Sequence, residues 1–156
     1  MNQKTKSLNL NEQIRRILEN IKGISEKHKA EFFLNVDPQI NIEYNPAYLE
    51  SILLNFLTNA IKYSHPNRTP KITVSACTNP NETILEIKDN GLGIDLKLHG
   101  DKLFGMYKTF HAHADARGIG LFITKNQIES MGGKIEVESE VGTGTTFKIH
   151  ILNRVG

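Results

Sequence analysis

Residues 46–63 read PAYLESILLNFLTNAIKY, and this stretch decides the predicted architecture. Asn45-Pro46 opens a helix with proline in its first turn, where a missing amide leaves no hydrogen bond unmade. The apolar residues recur at spacings of three and four, so they form one arc along the helix. They are Leu49, Ile52, Leu53, Phe56, Leu57, Ala60 and Ile61. The helix ends near His65, because Pro66 disfavours a helical residue before it.

Alternating apolar and polar residues on both sides of this helix predict strands. Residues 32–36 and 41–44 form two short strands around a turn at Asp37-Pro38. Residues 71–78 and 83–88 form an antiparallel hairpin around residues 79–81. A closing hairpin follows, with strands at residues 134–139 and 146–152.

Two further stretches have the apolar spacing of helices. Residues 8–28 form the first, and residues 118–131 form the second, which stops at Gly132-Gly133. Residues 89–117 are glycine-punctuated and weakly periodic, so they form a long functional loop with a short helical turn at residues 98–107. The fold class is therefore α+β, a two-layer sandwich with helices on one face of a mostly antiparallel sheet.

Composition narrows the functional classes. The 156 residues carry a net charge of +2, which is too balanced for a nucleic-acid surface or a polybasic membrane anchor. No apolar run approaches the roughly 18 residues that span a bilayer, and the start resembles no secretory signal. We therefore expect a cytoplasmic domain that contacts neither nucleic acid nor membrane. The single cysteine, Cys77, makes no internal disulfide and is expected to be buried or half-buried.

One flank of the central helix is polar and carries Asn55, Asn59, Lys62 and Tyr63. An amide oxygen such as that of Asn59 is a suitable Mg²⁺ ligand, and Lys62 one turn later would reach phosphate oxygens. The same residues also fit the solvated face of an amphipathic helix.

Two glycine-rich turns accompany this flank. Asp89 to Ile94 reads DNGLGI and directly follows a predicted strand. Its glycines let the backbone approach a flat ligand, and its aspartate is an acceptor for an adenine amino group, although Gly-x-Gly is often only a turn. Arg117 to Leu121 reads RGIGL at the predicted start of a helix, where exposed amides favour phosphate. There the glycine pair would equally serve close helix packing.

Together with GTGTTF at residues 142–147, these motifs resemble the histidine kinase ATP-binding domains of the GHKL superfamily, which includes gyrase, mismatch-repair ATPases and heat-shock chaperones. Asn55 to Ser64 resembles the asparagine box, Asp89 to Ile94 the first glycine box, and Gly118 to Leu121 the second. Leu103 to Tyr107 resembles the phenylalanine box. The resemblance covers residues 42–152 and implies a Bergerat-type α/β sandwich with ATP under a flexible lid.

The resemblance implies a role for each matching position. Asn59 would ligate Mg²⁺ with help from Asn55, and Lys62 and Tyr63 would lie near the phosphates, with Asn55 and Lys62 as catalytic residues. Around the base, Asp89 would accept the adenine amino hydrogen bond and Thr145 would hold a water. The remaining nucleotide contacts implied are Gly91, Gly93 and Ile94 at the base, Gly118, Ile119, Gly120 and Leu121 at the lid, and Phe104 as the lid anchor.

Position 55 separates the branches of the superfamily. The ATP-hydrolysing members of the superfamily look to have a glutamate at this position. Asn55 has no basic carboxylate with which to polarise water. The resemblance therefore implies transfer to a protein histidine. His28 does not match the pattern of a phosphoacceptor, so that histidine is expected on a dimerisation hairpin absent from the chain. A response-regulator receiver domain is the implied second partner.

The chain also departs from the pattern. Ala116 replaces a frequent glycine, and alanine would cost about 1 kcal/mol if positive φ were needed there. A degenerate nucleotide-binding module that regulates a partner without catalysis is thus the alternative. His111 and His113 have no neighbouring cysteine and are expected to bind no metal. We expect a monomer, with residues 1–30 as a helix or linker from the hairpin and residues 31–156 as the ATP-binding domain.

Overall fold

The computed structural model describes residues 4–96 and 114–153, and for residues 114–120 it describes the backbone alone. In chain order its elements are β1 (Lys6–Asn9), α1 (Leu10–Asn20), α2 (Lys22–Lys27), β2 (Glu31–Asn35), β3 (Asn41–Tyr44), α3 (Pro46–Lys62), β4 (Lys71–Thr78), β5 (Glu82–Asp89), α4 (Ala114–Ser130), β6 (Lys134–Glu140) and β7 (Gly144–Leu152). None of the helices in these ranges is both long and apolar enough to cross a membrane.

A five-stranded sheet forms one layer, with the strand order β2-β4-β5-β7-β6. β2 runs parallel to β4, and the remaining neighbours are antiparallel. β1 and β3 form a separate antiparallel pair. The predicted α+β fold with a mixed, mostly antiparallel sheet is confirmed.

The hydrophobic core lies between this sheet and the helices. Every residue of the predicted apolar arc on α3 is buried. From the sheet, alternate residues such as Leu85, Ile87 and Ile149 enter the same core. The rings of Phe56 and Phe147 are 4.6 Å apart and join α3 to β7. Each such side chain contributes about 1.5–3 kcal/mol on burial, so packing holds α3 across the strands that carry the predicted site.

The N-terminal segment differs from the prediction of one helix over residues 8–28. Leu8 lies in β1, because its strand pairs with β3 before the helix begins. The side chain of Asn9 then caps α1 by accepting a hydrogen bond from the amide of Glu12 at 3.0 Å. Ile21 leaves helical geometry, with φ −99° and ψ 13°, and separates α1 from α2. Residues of α1 such as Ile14 pack into the same core as α3.

Three other predictions about local structure need correction. The strands at residues 31–35 and 41–44 lie in different sheets, because each pairs with a distant segment. Cys77 is exposed, since it lies near the end of β4 on the sheet face turned away from the helices. The second glycine motif lies inside a helix, because α4 already begins at Ala114. The predicted helical turn at residues 98–107 falls outside the described residues.

The sheet face turned away from the helices carries a charged cluster around His150. This histidine is buried between two carboxylates, with Nδ1 2.9 Å from Oε1 of Glu82 and Nε2 2.5 Å from Oε1 of Glu136. The hydrogen bond from His150 lowers the pKa of Glu136 below its usual range. The cluster links three neighbouring strands, β5, β7 and β6.

Candidate functional site

Asp89 is the point at which the segments of the predicted base pocket meet. It ends β5 opposite Thr145 of β7. Its Oδ1 accepts a hydrogen bond from the amide of Gly91 at 2.9 Å and another from the amide of Thr145 at 3.3 Å. These two hydrogen bonds fix the direction of the carboxylate. The predicted acceptor is therefore held in place by two different parts of the chain.

The first glycine turn is packed too closely for any larger residue. A Cβ on Gly91 would lie 2.6 Å from the carbonyl oxygen of Tyr63. Gly93 has φ +75°, and a Cβ there would lie 2.1 Å from the carbonyl oxygen of Glu140. The amide of Leu92 donates to the carbonyl of Tyr63 at 3.0 Å. The turn is thus fitted between the end of α3 and the β6–β7 turn, as its glycines require.

Ser139 organises the floor beneath this turn. Its Oγ accepts from the amide of Ile94 at 2.7 Å and donates to the carbonyl of Gly144 at 2.9 Å. Because a hydroxyl has one hydrogen, the 2.7 Å contact with Oγ1 of Thr145 is then donated by Thr145. Thr145 and Ile94 are both buried. Ser139 was not predicted, and its only signal was the last inward position of an alternating strand.

The polar flank of α3 is not uniformly solvated. Asn55 is half-buried, and its Nδ2 donates to Oγ1 of Thr124 on α4 at 3.1 Å. Asn59 is half-buried and Lys62 is exposed. Tyr63 is only 6% exposed, so it belongs to the buried end of α3 and not to the exposed flank. The structure therefore brings Asn55 to the interface with α4, half-buries Asn59 and leaves Lys62 exposed.

The second glycine motif has a different geometry from the one predicted. Gly118, Ile119 and Gly120 follow the first turn of α4, so the amides without an intrahelical partner are those of residues 114–117. Leu121 is buried in the hydrophobic core. Ala116 lies in the helix, where φ is negative, so it carries no left-handed strain. Phe104 lies outside the described residues.

One cavity borders the predicted site, and a larger one lies away from it. A small cavity of about 170 Å³ is bordered by Asp89, Ser139 and Thr145. Ligand pockets usually measure about 300–1,000 Å³, so this cavity alone is too small to hold a nucleotide. A larger cavity of about 580 Å³ lies between α1 and the start of α3 and contains none of the predicted site residues.

The chain is similar in sequence to one protein family and to several curated proteins. The family of histidine kinase-, DNA gyrase B- and HSP90-like ATPases matches residues 44–154. The signal transduction histidine-protein kinase ArlS of Staphylococcus haemolyticus is 32% identical over 145 residues, which are 91% of this chain and 31% of the relative. ArlS of Staphylococcus aureus is 31% identical over 146 residues, which are 92% of this chain and 32% of the relative. The chain thus spans about a third of the length of these curated relatives.

Solved structures share the same architecture. The nucleotide-free catalytic domain of histidine kinase ThkA superposes with a TM-score of 0.83 at 22% identity, over 96% of this chain and 98% of that one. The mycobacterial sensor histidine kinase MprB gives a TM-score of 0.78 at 25% identity, over 96% and 99% of the two chains. The fold of histidine kinase catalytic domains is therefore shared over nearly the whole chain.

Proposed function

Because the chain belongs to the family of histidine kinase-, DNA gyrase B- and HSP90-like ATPases, we propose that it binds Mg-ATP and donates the γ-phosphoryl group to a protein histidine. It is an ATP-binding catalytic domain of the two-component sensor histidine kinase type. The proposed acceptor lies on the dimerisation hairpin of the same kinase. An imidazole nitrogen attacks the γ-phosphorus, the bond to the bridging oxygen breaks, and ADP leaves.

The arrangement around Asp89 carries this proposal. Its Oδ1 is held by the amides of Gly91 and Thr145, which orients the carboxylate at the end of β5. An oriented carboxylate is an acceptor for the exocyclic amino group of adenine, and it rejects a base that presents a carbonyl at the same place. We assign the adenine subsite to Asp89, Gly91, Gly93, Ile94 and Thr145.

The donor set on α3 fits Mg²⁺. Asn59 is half-buried, and its side-chain amide makes no hydrogen bond to any residue in the described ranges. Asn55 uses its nitrogen toward Thr124, which leaves its oxygen as the second candidate ligand. The ion would supply charge neutralisation at the phosphate oxygens. Lys62, exposed at the same end of α3, adds a positive charge that attracts the phosphates, and Tyr63 lies beside it.

Several assignments near the phosphates and the lid remain part of this proposal. Gly118, Ile119 and Gly120 would bring the backbone of α4 near the phosphates. Leu121 anchors that helix in the core, and Phe104 would hold the other end of the lid.

Transfer is favoured over hydrolysis by the side chain at position 55. An amide has no proton affinity with which to activate water, so Asn55 cannot act as a general base. The alternative of a non-catalytic module rested on Ala116. Since Ala116 lies in a helix whose backbone suits alanine, it gives that alternative no support.

We propose a response-regulator receiver domain as the final phosphoryl acceptor and a cytoplasmic location, where both ATP and that acceptor are present. The monomeric state of the isolated chain stays a prediction. So does the boundary between residues 1–30 and 31–156, although α1 shares the core of the sheet domain.

Calorimetric titration of the chain with a non-hydrolysable ATP analogue, with and without Mg²⁺, tests the proposal. Asp89→Asn is the informative variant. Its remaining oxygen still accepts from the amides of Gly91 and Thr145, while its nitrogen cannot accept from adenine. Matching urea-unfolding curves for the two proteins would show that the variant is folded.

We expect one-to-one binding that Mg²⁺ strengthens and that Asp89→Asn weakens at least about tenfold. Absence of binding at millimolar nucleotide would refute the proposal. Equal binding by the variant would refute the assignment of the adenine subsite.

A further inference from the structure

We propose that Arg68 is a positioning residue for the adenine subsite, clamping the first glycine turn to the β6–β7 turn. The inference rests on the proposed nucleotide-binding function. Arg68 lies in the loop between α3 and β4, outside every motif that the sequence identified. Its role is therefore visible only from the backbone groups that it contacts.

The loop that carries Arg68 is itself fixed. The amide of Arg68 donates to the carbonyl of His65 at 3.3 Å, which closes a turn. On the other side, Nδ2 of Asn90 donates to the carbonyl of Thr69 at 3.0 Å, and Oδ1 of Asn90 accepts from the amide of Lys71 at 2.8 Å. Arg68 is thus held beside the glycine turn, because Asn90 belongs to that turn.

One nitrogen of Arg68 reaches both turns. Nη2 donates to the carbonyl of Gly91 at 3.2 Å and to the carbonyl of Gly142 at 2.5 Å. A terminal guanidinium nitrogen carries two hydrogens, so it satisfies both acceptors. The two turns are also joined directly, by a bond from the amide of Gly142 to the carbonyl of Leu92 at 2.8 Å. Arg68 therefore supplies two of the bonds that fix their separation.

This separation determines the shape of the adenine subsite. Gly91 is the residue whose amide orients Asp89, and the β6–β7 turn leads directly into Thr145. Without Arg68, the carbonyls of Gly91 and Gly142 would lose the donor that they share. The turns would then be held by the bond between Gly142 and Leu92 and by the bonds of Ser139 and Thr145 beside them. Arg68 is exposed, so its loss affects the order of the turns more than the stability of the core.

The test is calorimetric titration of the wild type, Arg68→Ala, Arg68→Lys and the control Arg15→Ala, an exposed arginine on α1. The probes are a non-hydrolysable ATP analogue, ADP and inorganic triphosphate. We expect Arg68→Ala to lower the affinity for both nucleotides about three- to tenfold and to leave the affinity for triphosphate unchanged. Lysine should restore affinity to within about twofold, because one ammonium nitrogen also offers enough hydrogens for both carbonyls.

Each contrary result is decisive. Equal affinity of Arg68→Ala and the wild type would overturn the clamp while leaving the proposed function intact. If Arg68→Ala lowers the affinity for nucleotides and for triphosphate equally, Arg68 acts on the phosphates, and the proposed clamp is overturned as well. If Arg68→Ala fails to fold, Arg68→Lys decides. A folded Arg68→Lys variant whose nucleotide affinity is about tenfold or more below that of the wild type would overturn the proposal. A wild type that binds no nucleotide refutes the proposed function and this inference together.

Discussion

The side-chain nitrogen of Asn55 lies 3.1 Å from Oγ1 of Thr124, and this bond joins α3 to α4 across the helical layer. Thr124 is completely buried, so water does not compete for its hydroxyl. The bond fixes the plane of the Asn55 amide and hence the direction in which its oxygen points. Thr124 therefore supports the proposed magnesium ligands. The sequence alone did not identify Thr124.

Replacing Thr124 by valine tests this link. The substitution keeps the shape and removes the acceptor, so we expect the free energy of unfolding to fall by about 1–3 kcal/mol. Urea denaturation measures this loss. Thr124→Ser keeps the hydroxyl, so its free energy of unfolding should fall much less than that of the valine variant. A double-mutant cycle with Asn55→Ala should show coupling, and additive losses would contradict a direct bond.

The glycines of the two turns give a matched pair of variants. Gly93→Ala combines φ +75° with a Cβ only 2.1 Å from a carbonyl oxygen, whereas Gly142→Ala has φ +83° with nothing within 4 Å. We expect Gly93→Ala to cost more than about 3 kcal/mol and Gly142→Ala about 1–2 kcal/mol, the cost of the left-handed backbone alone. Chemical denaturation separates the two, and equal losses would contradict the close packing.

Glu136→Gln should alter the pH dependence of stability. The folded-state pKa of Glu136 is lowered by its hydrogen bond with His150, so the interaction stabilises the protein above the unfolded-state pKa of about 4.3. That stabilisation is lost as the pH falls through the lowered folded-state pKa. We expect the wild type and variant to differ near neutral pH and to converge in acid. Glu26→Gln on α2 is the control, and a difference that persists in acid would contradict this account.

Tyr44→Phe should not destabilise the chain. Tyr44 is 2% exposed, burial raises the pKa of its hydroxyl, and that hydroxyl has no hydrogen-bond partner among the described residues. Removing an unpaired buried hydroxyl leaves the ring packing intact, so we expect a change between zero and a gain of about 1 kcal/mol. Thermal and urea unfolding measure it. A clear loss of stability would reveal a partner for the hydroxyl.

Local patterns predicted the elements whose partners are close in sequence. The spacing of apolar residues from Leu49 to Ile61 identified the whole buried face of α3, because burial and helical period are directly related. The β4–β5 hairpin followed from alternation around a short turn. The parallel pairing of β2 with β4 could not be predicted in this way, because nothing within residues 31–35 specifies a partner 40 positions along.

In the candidate site, too, local sequence patterns identified some residues and missed those that act on distant segments. Asp89, Gly91 and Gly93 stood out because their turn directly follows a strand and occurs together with the other motifs, although Gly-x-Gly alone is often only a turn. Arg68, Thr124 and Ser139 act on groups contributed by distant segments, so their residue types alone gave no signal. The predicted start of α4 at Gly118 is wrong for a similar reason, because a glycine pair typical of a helix boundary lies inside this helix.

The hydrogen bond between Asp89 and the amide of Thr145 joins residues 56 positions apart. Closing so long a loop carries a large entropic cost, which grows with the logarithm of its length, whereas the β4–β5 and β6–β7 hairpins close quickly. We therefore expect the two hairpins to form before they dock, so that the proposed base pocket is completed late in folding. During synthesis, a chain interrupted before β7 would have no pocket, so nucleotide would stabilise only fully assembled domains.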